Sequence, residues 1–457
     1  MWVIPLMVLH MEYAMTQRPA PRGLTTFIIV WLGQCVSVIG SGLTSFALGV
    51  WVFERTGSAT QFALIGLFAV LPRVILSPLA GTIVDRWDRR WTMIASDAGA
   101  GFCTLILALL LYANRLDMWH IYLLTGASAA FSTVQWPAYT ASTTLLVSKD
   151  NLGRVNGLVQ FGQAAAEILA PALAGALVQT IQLEGVILID FVTFILAVLT
   201  LLLVRFPTPP SAITSKPEKT SLSKEMTFGW QYISARQGLL GLLAFSTVVF
   251  FIWGMVGALI TPMILGFTSS DALGIVISVA GFGMLAGSLV MSIWGGPRRR
   301  INGVLCFEFL SGLCFLLIGL RPSFWTTAIG AFGAHVTIAI VNGAYQAIWQ
   351  SKVAPNVQGR VFATQQMIAR AASPLAYLLA GPLADSLFEP LLVPHGPLAQ
   401  SVGRVIGVGP GRGIGLLFMA MGMVKMAITL IAHAQPRIRL VEYELPDAID
   451  DDSDTSS

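Results

Sequence analysis

Four ionisable side chains, Glu167, Arg73, Arg370 and His335, stand inside long apolar runs, where a charge is expensive and marks a functional site by default. Glu167 lies near the middle of its run and is the candidate for binding and releasing a proton; a glutamate hydrogen-bonded at a helix contact is the alternative reading. Arg370 is at mid-depth and Arg73 follows Pro72. Either can hold an anionic group or neutralise Glu167, and a structural role for both is equally open. The imidazole of His335 belongs to the one side-chain type that ordinarily titrates close to neutrality, with simple hydrogen bonding as the competing reading. Other chemistry lacks its residues. No Walker motif, Gly-rich nucleotide loop or metal-ligand spacing occurs, so no cofactor, no metal and no enzymatic role are expected. Cys35, Cys103, Cys306 and Cys314 all fall within apolar runs and read as small packing residues.

The elements that must position these groups are membrane helices. Hydrophobic residues make up 55% of the 457 and charged ones only 11%, against about 25% charged in soluble domains; the mean hydropathy is +0.75. A spanning helix needs about 20 mostly apolar residues. Such stretches recur at 25–52, 60–84, 91–113, 118–147, 153–181, 184–204, 239–266, 270–294, 301–320, 324–351, 357–388 and 412–434, numbered here as helices 1 to 12. The expected fold is all-α and integral to the membrane. A transmembrane barrel would show alternating segments of about 10 residues instead.

Lys and Arg set the orientation. With the N-terminus in the cytoplasm, nineteen basic residues fall inside and only Arg55, Arg115, Arg321, Arg404 and Arg412 outside. Both termini are therefore expected to be cytoplasmic, with the chain in the cell membrane and the lipid bilayer as its surroundings. The net charge of +4 reflects these loop residues and implies no nucleic-acid partner. The opening "MWVIPLMVLHMEYAM" is too short to span and lacks a signal peptide's positive region, so it reads as an extension, with Met11 or Met15 as alternative starts. The tail "PDAIDDDSDTSS" is too polar to order itself.

The chain is also duplicated. "YTASTTLLVSKDNLGRVNGLVQFGQAAAEILAPALAG" from Tyr139 and "YQAIWQSKVAPNVQGRVFATQQMIARAASPLAYLLAG" from Tyr345 match at a constant offset of 206, with Tyr, Gly-Arg-Val and Gln in one register. Helices 4 and 5 thus correspond to 10 and 11. The domain plan is a segment 1–24, a six-helix half 25–205, a linker 206–238, a second half 239–434 and a tail 435–457. Within the linker, "LSKEMTFGWQYISAR" has the pattern of an interfacial amphipathic helix. Two homologous halves joined this way are the plan of transporters whose halves rock about a midplane site.

At this point the sequence resembles the major facilitator superfamily over nearly its whole length. The stretch "GTIVDRWDRR" carries five charges in its last six residues. It is similar to the superfamily's loop signature G-x-x-x-D-R-x-G-R-R, matched by Gly81, Asp85, Arg86, Arg89 and Arg90, with Asp88 in place of the second glycine. The resemblance implies that Asp85 faces the positive N-terminal end of helix 11 beside Gly359, Arg360 and Val361, latching the inner gate. The corresponding loop "WGGPRRR" has Gly295 and Gly296 where an acid is expected, so such a latch is asymmetric. "WLGQCVSVIGSGLTSFALGVWVFERTGS", "LPRVILSPLAG", "QWPAYTA" and "APALAG" resemble the exporters grouped with macrolide efflux proteins and the enterobactin exporter. A similarity to transporters associated with nonribosomal peptide synthetases suggests a natural-product cargo.

In that family helices 1, 4, 7 and 10 line the cavity. This makes Trp31, Gln34, Gln135, Trp136, Tyr139, Trp253, Asn342, Tyr345, Gln346 and Trp349 an aromatic and amide lining, with polar contacts between helices as the alternative. Gln135 with Tyr139, and Asn342 with Tyr345, Gln346 and Trp349, share helix faces. Asp190, Glu308, Asp385 and Lys425 read as residues near helix ends or on rim helices, and Asp97 as a partner of loop arginines. The expectation is a monomeric secondary transporter that exports an amphipathic small molecule by alternating access in exchange for protons. A lipid or lysophospholipid flippase and a membrane sensor are the alternatives.

Overall fold

A computed structural model describes residues 23–146, 152–204, 222–354 and 357–444; Met1, Trp2 and the rest of the opening extension, and the acidic tail, lie outside them. The described residues contain helices and turns and no strand. In chain order the spanning helices are α1 Gly23–Thr56, α2 Ala59–Arg86, α3 Arg89–Tyr112 and α4 Met118–Leu146. The run Leu152–Leu203 breaks at Gln182, whose φ of 58° and ψ of −174° end one helix and begin the next; its parts 152–181 and 183–203 are α5 and α6. The second half has α7 Gln237–Leu265, α8 Ser270–Trp294, α9 Arg300–Leu320, α10 Phe324–Lys352, α11 Gln358–Pro382 and α12 Arg412–Ala434. Among the described residues twelve helices cross the bundle. α11 runs on through a π-helical turn, Leu383–Phe388, a distortion common at functional sites.

Charged caps start two equivalent helices in different ways. Asp88 accepts from the Trp91 amide at 3.0 Å and so caps α3, a reason for the acid in the place of the usual glycine. Arg90 donates to the carbonyls of Leu201 and Leu202, both at 2.8 Å, and holds the last turn of α6 against the start of α3. The turn before α9 passes instead through Gly295 and Gly296, with φ of 74° and 87°, values that favour glycine. Its cap comes from beyond α12, where the Glu442 carboxylate accepts from the amides of Arg300 and Ile301 at 3.2 and 3.0 Å.

The end of the bundle where α1 begins and α12 ends is called proximal, and the opposite end distal. At the proximal end each half has its own core. Phe27, Met93, Val155 and Leu201 pack in one, and Leu239, Val304, Ile348 and Val361 in the other. At the distal end a single core crosses between halves, joining Val50, Ala59 and Ala63 to Leu259, Leu273, Ala376 and Ala380. Small residues allow that approach: a Cβ on Gly381 would lie 2.3 Å from Thr60 Cα, and one on Gly274 2.4 Å from the Pro171 carbonyl oxygen. The amphipathic linker helix, Leu222–Ser234, docks on the proximal end of α11, with Arg360 5.3 Å from the Phe228 ring.

Candidate functional site

Between the sealed distal end and the separate proximal cores lies a cavity built mainly from α1 and α5. Its larger lobe, about 390 Å³, is lined by Ser45, Phe46, Phe62, Gln163, Glu167 and Pro171 with Thr261 and Ile277 from the second half. The smaller lobe, about 60 Å³, is lined by Trp31, Gln34, Cys35, Gln135, Trp136 and Tyr139. Val38 and Gln163 border both.

Trp31, Gln34, Gln135 and Tyr139 therefore gather at one place, as α1 and α4 bring them together. Trp31 Nε1 donates to the Leu158 carbonyl at 2.8 Å, which fixes the indole between α1 and α5. Gln34 Nε2 donates to Asp97 Oδ2 at 2.8 Å and Gln135 Nε2 to Asp97 Oδ1 at 2.6 Å; Gln135 also donates to Gln34 Oε1. The Tyr139 hydroxyl is buried with no partner among the described residues. Asp97 thus meets cavity glutamines, and among the described residues no loop arginine is bonded to it.

Glu167 is exposed to the larger lobe. Neither Arg73 nor Arg370 forms an ion pair with it among the described residues. Both arginines are exposed, on α2 and α11, and Arg73 lies within electrostatic reach of Tyr377. Tyr377 packs against Gly66 of α2 and Gly257 of α7, so it belongs to the contact between halves.

The second half's candidates belong to neither lobe. Trp253 sits edge-on to Phe315 and to His335, with ring centroids 5.3 and 5.4 Å apart. His335 Nδ1 donates to the Ala331 carbonyl at 2.9 Å, a local helix bond. Tyr345 donates to Ser246 Oγ at 2.9 Å and accepts from Gln365 at 3.1 Å. Trp349 is buried in the proximal core. Asn342 is exposed and Gln346 half-buried.

Of the loop signature, the side chains of Asp85 and Arg86, like Gly81, fall outside the described set, and Arg360 meets the linker helix as noted. A carboxylate does latch the two halves, but at the opposite end. Asp385, in the π-helical turn of α11, accepts from Ser58 Oγ at 2.7 Å and from the amides of Ala59 and Thr60 at 3.0 and 2.9 Å. It caps the N-terminus of α2, where a helix favours negative charge. Gln179 of α5 bonds Asp271 of α8 at 3.1 Å at the same end.

Glu308 on α9 and Lys425 on α12 pair with each other in the interior. They form a fully buried ion pair at 2.7 Å, with Lys425 also donating to Ser311 Oγ at 2.8 Å and standing 4.9 and 5.2 Å from the Phe315 and Trp253 rings. Asp190, buried on α6, accepts from Ser41 at 3.3 Å and Thr104 at 3.5 Å.

A bundle of twelve apolar helices in two halves, closed at one end over a mainly apolar cavity with a few polar groups, is the architecture of a membrane transporter. The family model for the Major Facilitator Superfamily matches residues 30–377, and the chain belongs to that superfamily. Macrolide efflux protein A of Streptococcus pyogenes is 27% identical over 365 residues, covering 79% of this chain and 90% of that protein. Multidrug efflux pump Tap of Mycobacterium tuberculosis is 24% identical over 381 residues, covering 81% and 89%. Among solved structures, a bacterial homologue of the human lysosomal transporter Spinster, inward-facing and unoccupied, aligns with a TM-score of 0.65 at 15% identity, covering 93% of this chain and 98% of that one.

Proposed function

We propose that this protein exports an amphipathic small molecule from the cytoplasm by alternating access, in exchange for protons. The observation that carries the reading is the cavity: about 390 Å³, within the range that holds drug-sized ligands, with apolar and aromatic walls, a few amides and one carboxyl, Glu167. The efflux relatives support the direction and the class of cargo. The nineteen-to-five division of basic residues supports a cytoplasmic proximal end and cytoplasmic termini in the cell membrane, and on this reading the protein works as a monomer.

On this reading the described conformation is open to the cytoplasm. Cargo enters between the separate proximal cores, lays its apolar surface on Phe46, Phe62 and Trp31, and places its polar groups on the glutamines. Rocking of the halves then breaks the Asp385 cap on α2 and the Gln179–Asp271 bond, and forms a proximal closure in which the loop after α2 meets α11. Glu167, in the cavity wall, takes a proton when the cavity faces the acidic side and gives it up when cargo binds.

The test is uptake of a hydrophobic dye into inverted membrane vesicles energised by a proton gradient. Uptake abolished by an uncoupler and reduced at least tenfold in Glu167→Gln is the expected result. Uptake indifferent to the uncoupler overturns proton exchange; no dye uptake together with accelerated lipid movement between leaflets replaces this cargo with lipid.

A further inference from the structure

α3 and α9 each begin on an arginine, and each carries a carboxylate eight residues later: Asp97 after Arg89, and Glu308 after Arg300. Both are buried, with exposures of 2%. A carboxylate withdrawn from water is held charged by a cation or by hydrogen-bond donors, and without a cation it takes a proton more readily. Glu308 has its cation built in, the Lys425 ammonium at 2.7 Å. Among the described residues Asp97 has no such partner: its two oxygens meet the amide nitrogens of Gln34 and Gln135.

Among the described residues, no cation is bonded to Asp97. α1 offers Gln34 and the thiol Cys35; α4 offers Gln135 and Tyr139; α6 offers Asp190, itself an acid, held further along α3 by Thr104. The nearest arginines on α3 itself are Arg89 and Arg90 at its start, about 12 Å away by helix rise, and Arg90 is committed to the end of α6.

We infer that Asp97 is a proton-binding site, and that the proton it holds decides which hydrogen-bonding groups Gln34 and Gln135 turn toward the cavity. Ionised, Asp97 accepts from both amides and fixes them in one orientation. Protonated, its new hydroxyl must donate to an oxygen, and the amide oxygens of the same two glutamines are at hand. Gln135, whose amide bonds both Asp97 and Gln34, then rotates, exchanging carbonyl for NH₂ on the cavity side. Tyr139, on the same face of α4 one turn beyond Gln135, has a buried hydroxyl with no partner among the described residues, a group able to donate to an acceptor on cargo or to accept from the NH₂ of a rotated glutamine. A metal cation such as sodium does not suit the place, since hard cations ask for converging oxygens and two of the groups facing Asp97 are N–H donors.

The use of this site in transport rests on the proton-exchange reading above: cargo seats on the ionised, amide-fixed cavity, and protonation releases it. Cargo affinity is then present at the higher pH and lost as the pH falls through the titration of Asp97. The titration itself does not depend on any cargo.

Infrared difference spectra of the full-length protein in lipid nanodiscs, recorded between neutral and acidic pH, test it directly. A protonated-carboxyl band appears on acidification; one component disappears in Asp97→Asn, moves in Asp97→Glu and persists in Glu167→Gln. In Gln135→Leu that component persists while the accompanying amide-carbonyl change is lost. Spectra of Asp97→Asn and Asp97→Glu that both match the wild type overturn the site, and an unchanged amide signal in Gln135→Leu overturns the coupling to the cavity. Dye uptake indifferent to an uncoupler, beside an Asp97 component that is present, removes the transport reading and leaves the site. Proton-driven uptake without that component does the reverse.

Discussion

Asp97 and Glu308 occupy the same step of two equivalent helices, yet one is met by glutamines that line a cavity and the other by a lysine locked in a core. In the second half the charge is cancelled within the protein, and Trp253 and Phe315 close around the ammonium. Nothing there is left to exchange with the solvent. In the first half the carboxylates are held by neutral donors, and the cavity lies beside them. A duplicated scaffold can therefore divide labour by changing a single partner: a lysine makes the site structural, and an amide leaves it able to load and unload.

The largest test of this contrast is Lys425→Met, which strands the Glu308 carboxylate. Removing one partner of a buried pair costs about 3–5 kcal/mol, visible as a large fall in the thermal unfolding midpoint in detergent. Lys425→Met combined with Glu308→Met recovers most of that loss; a neutral single variant would mean that the pair is not the anchor of its half. Next comes Asp385→Ala, which uncaps α2. Loss of a helix cap costs about 1–2 kcal/mol, here from the distally closed state alone, so the balance moves roughly 5–30-fold toward distal opening. Spin labels on the distal ends of α5 and α8 report it as a second, longer distance. The smallest expected change in stability is that of Asp97→Asn, below about 1 kcal/mol, because an amide still bonds both glutamines. A loss as large as that of Lys425→Met would place Asp97 in the scaffold and erase the contrast between the halves.

Much of the architecture was legible in the sequence, because each crossing is a continuous apolar run ended by charge, Gly or Pro. Even the joint of α5 and α6 was located to within two residues, although it consists of one non-helical residue, Gln182. The cavity was legible in part. Trp31, Gln34, Gln135 and Tyr139 converge, whereas Trp253 and Trp349 turn into the cores, since spacing on a helix gives a face but not what that face meets. Asp97 was misread because eight residues from Arg89 is a short way into the membrane; the signal available was the matching acid eight residues after Arg300. Asp385 gave no local sign, because its partner on α2 is 327 residues away in the chain.

The Asp385 cap also bears on what the protein does when idle. The cap's contribution of about 1–2 kcal/mol adds to that of the shared distal core, and a combined bias of about 3 kcal/mol leaves under roughly 1% of molecules open at the distal end. If that end faces outward, as proposed, an empty carrier is a shut door. Solute already expelled then finds no way back through it, and the membrane keeps its gradient without a separate plug.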